Sequence, residues 1–419
     1  MKTDAPPLLP RAWLIVGLLW FVACLNVMAR TMITTMHGSL VAAIPMSEAQ
    51  FGLLMSAFMC VYGVMSPFAG FLSDRFGRAR VILIAMAIWS IVTWLTSFAT
   101  TYPELLVMRV LMALSEVCYI PAGVAMIADY HRGPTRGLAT GIHATALVAG
   151  GMFASVGGWL AERHGWSYAF VAVSLPSLAY CFALSFILRD PPREESDAGA
   201  AHPGQVAFGP ALASLFGRGS FILFLGCVAC LDGCNGILIG WLPTYMAEHF
   251  HLAQGVAGFS ATGYIAVAGV LGMLFAGAWA DRWSRTNARS RVFVPIIGLC
   301  VATPGVVLAA ETHLLPVEIG GLIVIGFFRG FWGSNLMPLL CLVSDPRYRA
   351  TAFGLVNTAS VFIGGLVIYF VGVLRDRHVN FSIIFNFMAV GQVVAIALLL
   401  LIKLGRPARL RELRPVAST

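Results

Sequence analysis

Five charged residues stand inside long apolar stretches of this 419-residue chain: Arg30, Arg109, Glu116, Asp232 and Arg329. A charge at the centre of a lipid bilayer costs at least about 2.5–3.5 kcal/mol on insertion scales, so each of the five is a candidate for function. Three arginines against two carboxylates leave one net positive charge. The guanidinium group is a planar set of N–H donors that fits a carboxylate or a phosphate. This set of residues therefore favours the binding of an anion.

Arg109 and Glu116 are seven residues apart, which places them on one face of a helix. In the simplest interpretation Glu116 neutralises Arg109, and Arg30 is left without a role. We favour the interpretation in which Arg30 and Arg109 together bind the anionic group of a substrate. Glu116 is then a candidate to carry a proton, because burial favours the neutral form of any carboxyl group whereas a nearby arginine favours the charged form.

Asp232 and Arg329 are the second pair of candidates. Each lies about 12–13 residues into its apolar stretch, which at 1.5 Å per residue is near the middle of a bilayer. A contact between them is consistent with a structural role and with a functional one. We assign Arg329 to substrate binding, together with Asn235 one helical turn after Asp232, and we assign Asp232 to proton coupling.

The elements that must position these residues are long apolar helices. Hydrophobic residues make up 59% of the chain and charged residues 11%, against about 25% charged in a soluble domain. Runs of 18 or more mostly apolar residues are long enough to cross about 30 Å of hydrocarbon, and no cleavable signal peptide is predicted. The twelve predicted spans are roughly 12–41, 50–72, 80–100, 104–127, 138–160, 167–188, 219–246, 254–279, 292–310, 316–343, 350–373 and 380–403.

Internal repeats divide the spans into two sets of six, on either side of the polar segment 189–205. A glycine, an aspartate and an arginine at the end of span 2 recur at the end of span 8, and RGLATG after span 4 recurs as RATAFG after span 10, at offsets of 207 and 213 residues. The predicted fold class is an all-α membrane protein with twelve transmembrane helices in two pseudo-symmetric six-helix bundles. The predicted units are the bundles 1–188 and 218–404, a cytoplasmic linker 189–217 and a basic cytoplasmic tail 405–419.

The net charge of +8 is distributed as in a membrane protein and not as in a nucleic-acid-binding one. Outside the spans, only Arg163, Arg375 and Arg377 lie on the side away from both termini. The positive-inside rule therefore predicts cytoplasmic termini in a cell (inner) membrane, with the basic tail resting on anionic lipid.

The nine cysteines all fall within the spans, so no disulfide framework is implied. Three of them, at positions 227, 230 and 234, surround Asp232 in sequence, and a soft-metal site there is one interpretation. Buried cysteines more commonly pack as small apolar residues, and no metal or cofactor is predicted.

The stretch GFLSDRFGRAR, residues 70–80, resembles the cytoplasmic signature of the major facilitator superfamily, with Ala79 where a basic residue is common. The resemblance covers nearly the whole chain and implies a latch that holds the two halves together on the inner side when the cavity faces outward. A helix N-terminus carries about half a positive charge, so Asp74 is expected to stabilise the start of span 11, and Asp281 the start of span 5, by roughly 0.3–1 kcal/mol. In the alternative interpretation these charges only set the topology. The latch residues are Gly70, Asp74, Arg75, Gly77, Arg78, Asp281 and Arg282.

Within that superfamily the chain resembles two groups, the anion:cation symporters and the spinster-like proteins. LNVMARTMITTM in span 1 matches their arginine at Arg30 but has Ala29 in place of the aspartate that normally precedes it. Tyr62, Arg109 and Glu116 match a tyrosine, an arginine and a glutamate of both groups. The first group implies small organic anions such as sugar acids and monocarboxylates, and the second implies lysolipid-like amphiphiles.

The predicted function is secondary active transport of a small organic anion by alternating access, with Tyr62 at the binding site and Glu116 carrying a coupled proton. Because Ala29 removes a typical coupling carboxylate, a uniporter, an exchanger or a non-transporting sensor remains an alternative. A membrane enzyme is not predicted, since the sequence has no His-Glu-x-x-His, Gly-x-Ser-x-Gly or phosphate-binding Gly-rich motif. The expected partners are the organic anion, the proton and membrane lipid, without nucleic acid, and the chain is expected to act as a monomer.

Overall fold

The computed structural model describes residues 11–131, 135–190, 208–287 and 289–403. Within these ranges the regular elements are helices, and twelve helical segments are long and apolar enough to cross a membrane. The prediction of an all-α chain with twelve spans is therefore confirmed. The surroundings of Gly70 and the side chains of Pro67, Asp74, Phe208, Pro346 and Ala350 are not described.

We number the spans TM1 to TM12. Those of the N-terminal half are Ala12–Thr35, Glu48–Ser66, Arg78–Thr96, Tyr102–Tyr130, Arg136–His164 and Trp166–Ile187. Those of the C-terminal half are Gly219–His249, Gln254–Ser284, Ser290–Glu311, Leu315–Val343, Thr351–Asp376 and Phe381–Leu401. The helix of TM2 continues to Phe76, the helix of TM11 begins at Arg349, and short helices lie at His37–Ala43 and Phe208–Phe216.

The boundaries of the linker and the tail remain predictions, because residues 191–207 and those beyond 403 lie outside the described part of the chain. The end of the predicted linker forms the helix Phe208–Phe216, whose Ala211 and Leu215 are fully buried. Leu215 belongs to an apolar cluster with residues of TM7, TM10 and TM12. This part of the linker therefore packs on the C-terminal half.

The two halves repeat one close helix crossing. In the N-terminal half, a Cβ added to Gly150 of TM5 would lie 2.5 Å from the Cys24 carbonyl oxygen of TM1. In the C-terminal half, a Cβ added to Gly236 of TM7 would lie 2.5 Å from the Gly364 carbonyl oxygen of TM11. TM1 and TM7, like TM5 and TM11, occupy the same place in the two sets of six. The glycines are required because any larger residue would push these backbones apart.

TM4 is interrupted next to one of the predicted site residues. Its first helix ends at Glu116 and its second begins at Tyr119. Pro121 has no N–H, so the carbonyl four residues before it loses the partner that a continuous helix would supply. The chain instead tightens, with a bond from the Cys118 N–H to the Ser115 carbonyl at 3.4 Å. The break leaves Glu116 at a helix end in the interior of the bundle.

The two ends of the helix bundle differ. We call the end that carries segment 70–80 the basic end and the other the far end. At the far end the halves touch: the Gln254 amide of TM8 donates to the Ser39 hydroxyl at 2.8 Å, and the Asp376 carboxylate of TM11 accepts from the Glu48 N–H of TM2 at 2.8 Å. These contacts seal the far end.

At the basic end the first turns of TM5 and TM11 are open. A Cβ added to Gly137, Gly141 or Gly354 would meet no atom within 4 Å. Asp281 at the end of TM8 pairs with Arg291 of its own half instead of reaching TM5. The halves are therefore separated here, and the space between them opens toward the basic end.

Candidate functional site

A cavity of about 250 Å³ lies between the two halves. Helices TM1, TM2 and TM4 form one wall, and TM7 and TM11 form the other. Five of the predicted site residues line it together: Arg30, Tyr62, Arg109, Asp232 and Asn235. The sequence spacing along separate spans did not show that they would converge, whereas the packing of the two halves brings them to one site.

Arg109 is held by backbone carbonyl groups and is only 3% exposed. Its guanidinium donates to the Arg30 carbonyl at 3.1 Å, to the Leu54 carbonyl at 3.4 Å and to the Met112 sulfur at 3.6 Å. These contacts fix its position between TM1 and TM2. Two of its five N–H groups remain for another acceptor.

Arg30 faces the same cavity in a different setting. It is half-buried, and its guanidinium lies 5.8 Å from the centre of the Tyr62 ring. Tyr62 stacks on Phe58, with 5.9 Å between the ring centres. The Arg109 guanidinium lies over the Phe58 ring, 4.9 Å from its centre. The two stacked rings thus form a shelf that supports both guanidinium groups through cation–π attraction.

Glu116 does not line the cavity and is fully buried. Neither of its carboxyl oxygens has a hydrogen-bond partner in the described part of the chain. It is close enough to Arg30 and Arg109 to be attracted by both, yet among the described residues no ion pair within 4.0 Å joins it to either. Glu116 and Arg109 make no direct ion pair among the described residues, because backbone carbonyls already occupy that guanidinium.

The opposite wall carries Asp232 and Asn235 on TM7. The Asp232 carboxylate lines the cavity together with Ser360 of TM11 and is attracted by Arg329. Asn235, one turn further, has a side-chain oxygen without a partner among the described residues. This wall therefore offers mainly acceptor atoms, whereas the arginine wall offers donors.

The expected contact between Asp232 and Arg329 is not formed: among the described residues no ion pair within 4.0 Å joins them. TM7 packs chiefly on TM11 and TM12, and Ser360 of TM11 lines the cavity together with Asp232. Arg329 is exposed and is not part of the cavity lining.

The latch residues lie at the basic end, away from the cavity. Gly77 joins TM2 to TM3 with φ 88°, and a Cβ there would lie 2.7 Å from the Asp190 carboxylate, so only glycine fits this turn. Arg78 forms an ion pair with Asp129 and donates to the Ala125 carbonyl at 2.8 Å. These contacts lie within the N-terminal half.

The other latch residues complete the basic end. Arg75 lies beside the Phe76 ring, with 5.6 Å between its guanidinium carbon and the ring centre, and Arg282 is exposed at the end of TM8. Gly70 and the side chain of Asp74 lie outside the described part of the structure, so the latch remains a prediction.

Sequence reasoning missed two residues of the site, Phe58 and Ser360. Phe58 precedes Tyr62 by one helical turn, a spacing that would have shown the aromatic face. Ser360 carries no signal, because a serine in an apolar helix usually bonds its own backbone. The cysteines near Asp232 pack as apolar residues: Cys227 is fully buried, and the Cys234 thiol donates to the Met388 carbonyl at 3.5 Å.

Comparisons with known proteins agree with this geometry. The family model described as Major Facilitator Superfamily matches residues 19–369. Protein spinster homolog 1 of Xenopus laevis is 25% identical over 387 residues, which cover 88% of this chain and 73% of that protein. A probable sulfoacetate transporter of Cupriavidus necator is 26% identical over 364 residues, covering 81% and 82%. The gallate transporter of Pseudomonas putida is 27% identical over 380 residues, covering 84% and 81%.

Among solved structures, a bacterial homolog of the human lysosomal transporter Spinster, in an inward-facing and unoccupied conformation, superposes with a TM-score of 0.74. It is 21% identical, and the match covers 94% of this chain and 95% of that one. This likeness shows a common fold.

Proposed function

This chain belongs to the major facilitator superfamily and is a transporter, and from that premise we propose that it moves a small organic anion across the membrane by alternating access, together with a proton. One observation carries the proposal. Two guanidinium groups line the same cavity, and neither has a carboxylate within 4.0 Å among the described residues. A bound anion would supply the missing charge and accept the remaining N–H groups.

The cavity favours a small acid. Its volume of about 250 Å³ is below the roughly 300–1,000 Å³ of pockets for drug-sized ligands. In our proposal the carboxylate of the substrate binds Arg30 and Arg109 above the Phe58–Tyr62 shelf. The other end of the substrate faces Asp232, Asn235 and Ser360, where hydroxyl groups would find partners. Relatives named as gallate and sulfoacetate transporters are consistent with a compact organic anion.

Arg329 and Asp232 take a modified role in this proposal. Arg329 acts on the site through its attraction to Asp232 and not by touching the substrate, since it does not line the cavity. Asp232 is the second candidate for proton transfer, after Glu116, because it is the carboxylate of the C-terminal wall.

Glu116 is the proposed proton carrier. The two arginines attract its charged form, while its burial without a hydrogen-bond partner opposes that form. When a substrate anion engages Arg30 and Arg109, their attraction for Glu116 weakens and a proton binds more readily. Anion and proton binding then favour each other, as symport requires. Uniport or exchange without a proton is the alternative.

The membrane orientation follows from charge. Because the basic end carries most of the exposed Lys and Arg, we assign it and both termini to the cytoplasm of a cell with an inner membrane. The cavity described above then faces inward. A single chain supplies both walls of the cavity, which supports a monomeric carrier.

Thermal unfolding of the purified chain tests the substrate class. The panel consists of D-gluconate, lactate, gallate and a lysophospholipid, each beside its uncharged or headless analogue. A ligand at a hundredfold its Kd adds about 2.7 kcal/mol to the free energy of unfolding. Stabilisation by one of the acids and not by its analogue supports the proposal. The second candidate function is transport of a lysolipid-type amphiphile, which the similarity to a spinster protein favours. Thermal stabilisation by the lysophospholipid and by none of the acids would support this second function.

A further inference from the structure

A short sequence pattern occurs at both ends of the helix bundle. It consists of a glycine, three residues, an acidic residue and an arginine, and it stands at the end of four helices. Two copies lie at the basic end, on TM2 and TM8. The other two lie at the far end, on TM5 and TM11, and were not assigned a role above. The four copies are Gly70–Asp74–Arg75, Gly158–Glu162–Arg163, Gly277–Asp281–Arg282 and Gly372–Asp376–Arg377.

The TM11 copy completes the N-terminus of TM2 in the other half. The first four N–H groups of a helix have no partner within the helix. In TM2 a capping box satisfies two of them: the Ser47 N–H donates to the Gln50 side chain at 2.9 Å, and the Gln50 N–H donates to the Ser47 hydroxyl at 3.2 Å. The remaining two are the N–H groups of Glu48 and Ala49. Both donate to the Asp376 carboxylate, at 2.8 and 3.0 Å.

The glycine of this copy makes the contact possible. A Cβ added to Gly372, one turn before Asp376, would lie 2.9 Å from the Ala49 Cα. Any other residue would hold TM11 away from the first turn of TM2. The glycine and the aspartate therefore act together, one by allowing close approach and the other by accepting the free N–H groups.

The TM5 copy has the same relation to TM8. The Glu162 carboxylate accepts from the N–H of Gln254, the first residue of the TM8 helix, at 2.5 Å. A Cβ added to Gly158 would lie 2.9 Å from the Gln254 carbonyl carbon. Glu162 and Asp376 are 214 residues apart, close to the repeat offset of the two halves. The far end thus carries two equivalent contacts related by the pseudo-symmetry of the fold.

We infer that these two contacts form a far-end latch, which works in opposition to the latch predicted at the basic end. Each helix pair, TM2 with TM11 and TM5 with TM8, carries the pattern once at each end, and at the far end each carboxylate accepts from the N-terminus of a helix in the other half. If the halves rock, the caps of only one end can be engaged at a time. In this structure the far-end caps are formed, while Asp281 at the basic end pairs within its own half.

The latch follows from the geometry of the helix ends and does not depend on which substrate is carried. The opening of the far end can be measured on the full chain after the nine native cysteines are replaced. Spin labels are attached at Phe98→Cys and Leu314→Cys, and the distance between them is determined. Both positions are exposed at the far end, one in each half. A longer distance reports that the far end has opened.

We expect Asp376→Asn and Glu162→Gln each to raise the ratio of far-end-open to far-end-closed molecules about fivefold, the change that a helix cap of about 1 kcal/mol predicts. The double variant should shift it further. Gly372→Ala should shift it in the same direction with the carboxylate intact.

Glu104→Gln is the matched control. Glu104 is also a carboxylate at the far end that accepts backbone N–H groups, from Thr100 at 2.7 Å and Thr101 at 3.2 Å, but all of these residues belong to the N-terminal half. Its loss should leave the distance distribution unchanged. The inference is overturned if the Asp376→Asn/Glu162→Gln variant keeps the parental distribution, or if Glu104→Gln opens the far end equally.

Discussion

The two cavity arginines differ in how the protein restrains them. Arg109 is tied to carbonyl groups of TM1 and TM2 and is almost inaccessible, whereas Arg30 rests against the Tyr62 ring and is half-buried. A restrained donor set loses little entropy when a ligand binds, so Arg109 is suited to set the orientation of the anion. Arg30 retains the freedom to follow the anion as the halves move.

Arg109→Lys therefore tests the shape of the site separately from its charge. Lysine keeps the positive charge but has neither the planar donor set nor the tie to the Arg30 carbonyl. We expect substrate affinity, measured by thermal shift or by equilibrium binding, to fall about tenfold or more, since a hydrogen bond to a charged group contributes roughly 1.5–3 kcal/mol. Arg163→Lys is the control, because Arg163 lies over Trp159 at the far end and outside the cavity. Parental affinity in folded Arg30→Ala and Arg109→Ala variants would contradict the proposed site.

Glu116→Gln tests proton coupling. The amide keeps the size of the side chain but cannot bind or release a proton, so proteoliposomes should still exchange substrate while losing accumulation driven by a pH gradient. Glu318→Gln is a close control: Glu318 is also buried and without a hydrogen-bond partner among the described residues, but it lies among apolar residues of the C-terminal half, away from the cavity. If the parental protein exchanges a substrate and never accumulates it under a pH gradient, the carrier is a uniporter or an exchanger.

At the scale of the elements, the ends of TM2 and TM11 decide which side is closed. The TM2 helix reaches from the cap on its first turn at the far end to Phe76 at the basic end, and the TM11 helix begins at Arg349 beside open space. Each end of this helix pair therefore has an acidic residue near the end of one helix and the N-terminus of the other helix.

Asp74→Asn tests the basic-end latch. If Asp74 stabilises the N-terminus of TM11 in the closed state, its neutralisation should weaken closure there by about 1 kcal/mol. The protein would spend more time open at the basic end, and a single cysteine placed in the cavity of a cysteine-depleted chain would be labelled faster from that side. Unchanged labelling would mean that the charges of segment 70–80 serve topology alone.

At the scale of the whole molecule, the population of each open state depends on the difference between the two latches. Asp74→Asn favours the state open at the basic end, and Asp376→Asn favours the opposite state. The two sites lie at opposite ends of the bundle, so their effects on the free energy should be nearly additive. We expect the double variant to return close to the parental distance distribution. A distribution as displaced as that of one single variant would show that the two latches are not opposed.

Much of the architecture is set by local properties of the chain. Apolar runs long enough to cross a bilayer predicted the twelve spans, and the repeated glycine, aspartate and arginine at the ends of spans 2 and 8 predicted two equivalent halves. Both results were accessible because hydrophobic length and helix-end patterns act within one element. The isolated charges in apolar spans also identified Arg30, Arg109 and Glu116 as candidates for function, because a charged residue within an apolar run is visible in the sequence and is costly to place in a membrane.

The contacts of those residues were decided only by tertiary packing. Whether Arg109 binds Glu116 or backbone carbonyls, and whether Asp232 shares the cavity wall with Arg329 or with Ser360, depends on which atoms of neighbouring helices come within reach of each other. The far-end copies of the pattern at Glu162 and Asp376 are visible in the sequence, but their role became apparent only where each carboxylate meets the free N–H groups of a helix in the other half. These contacts between the two halves join residues that are more than 90 positions apart in the chain, and no local property of the sequence determines whether such residues meet.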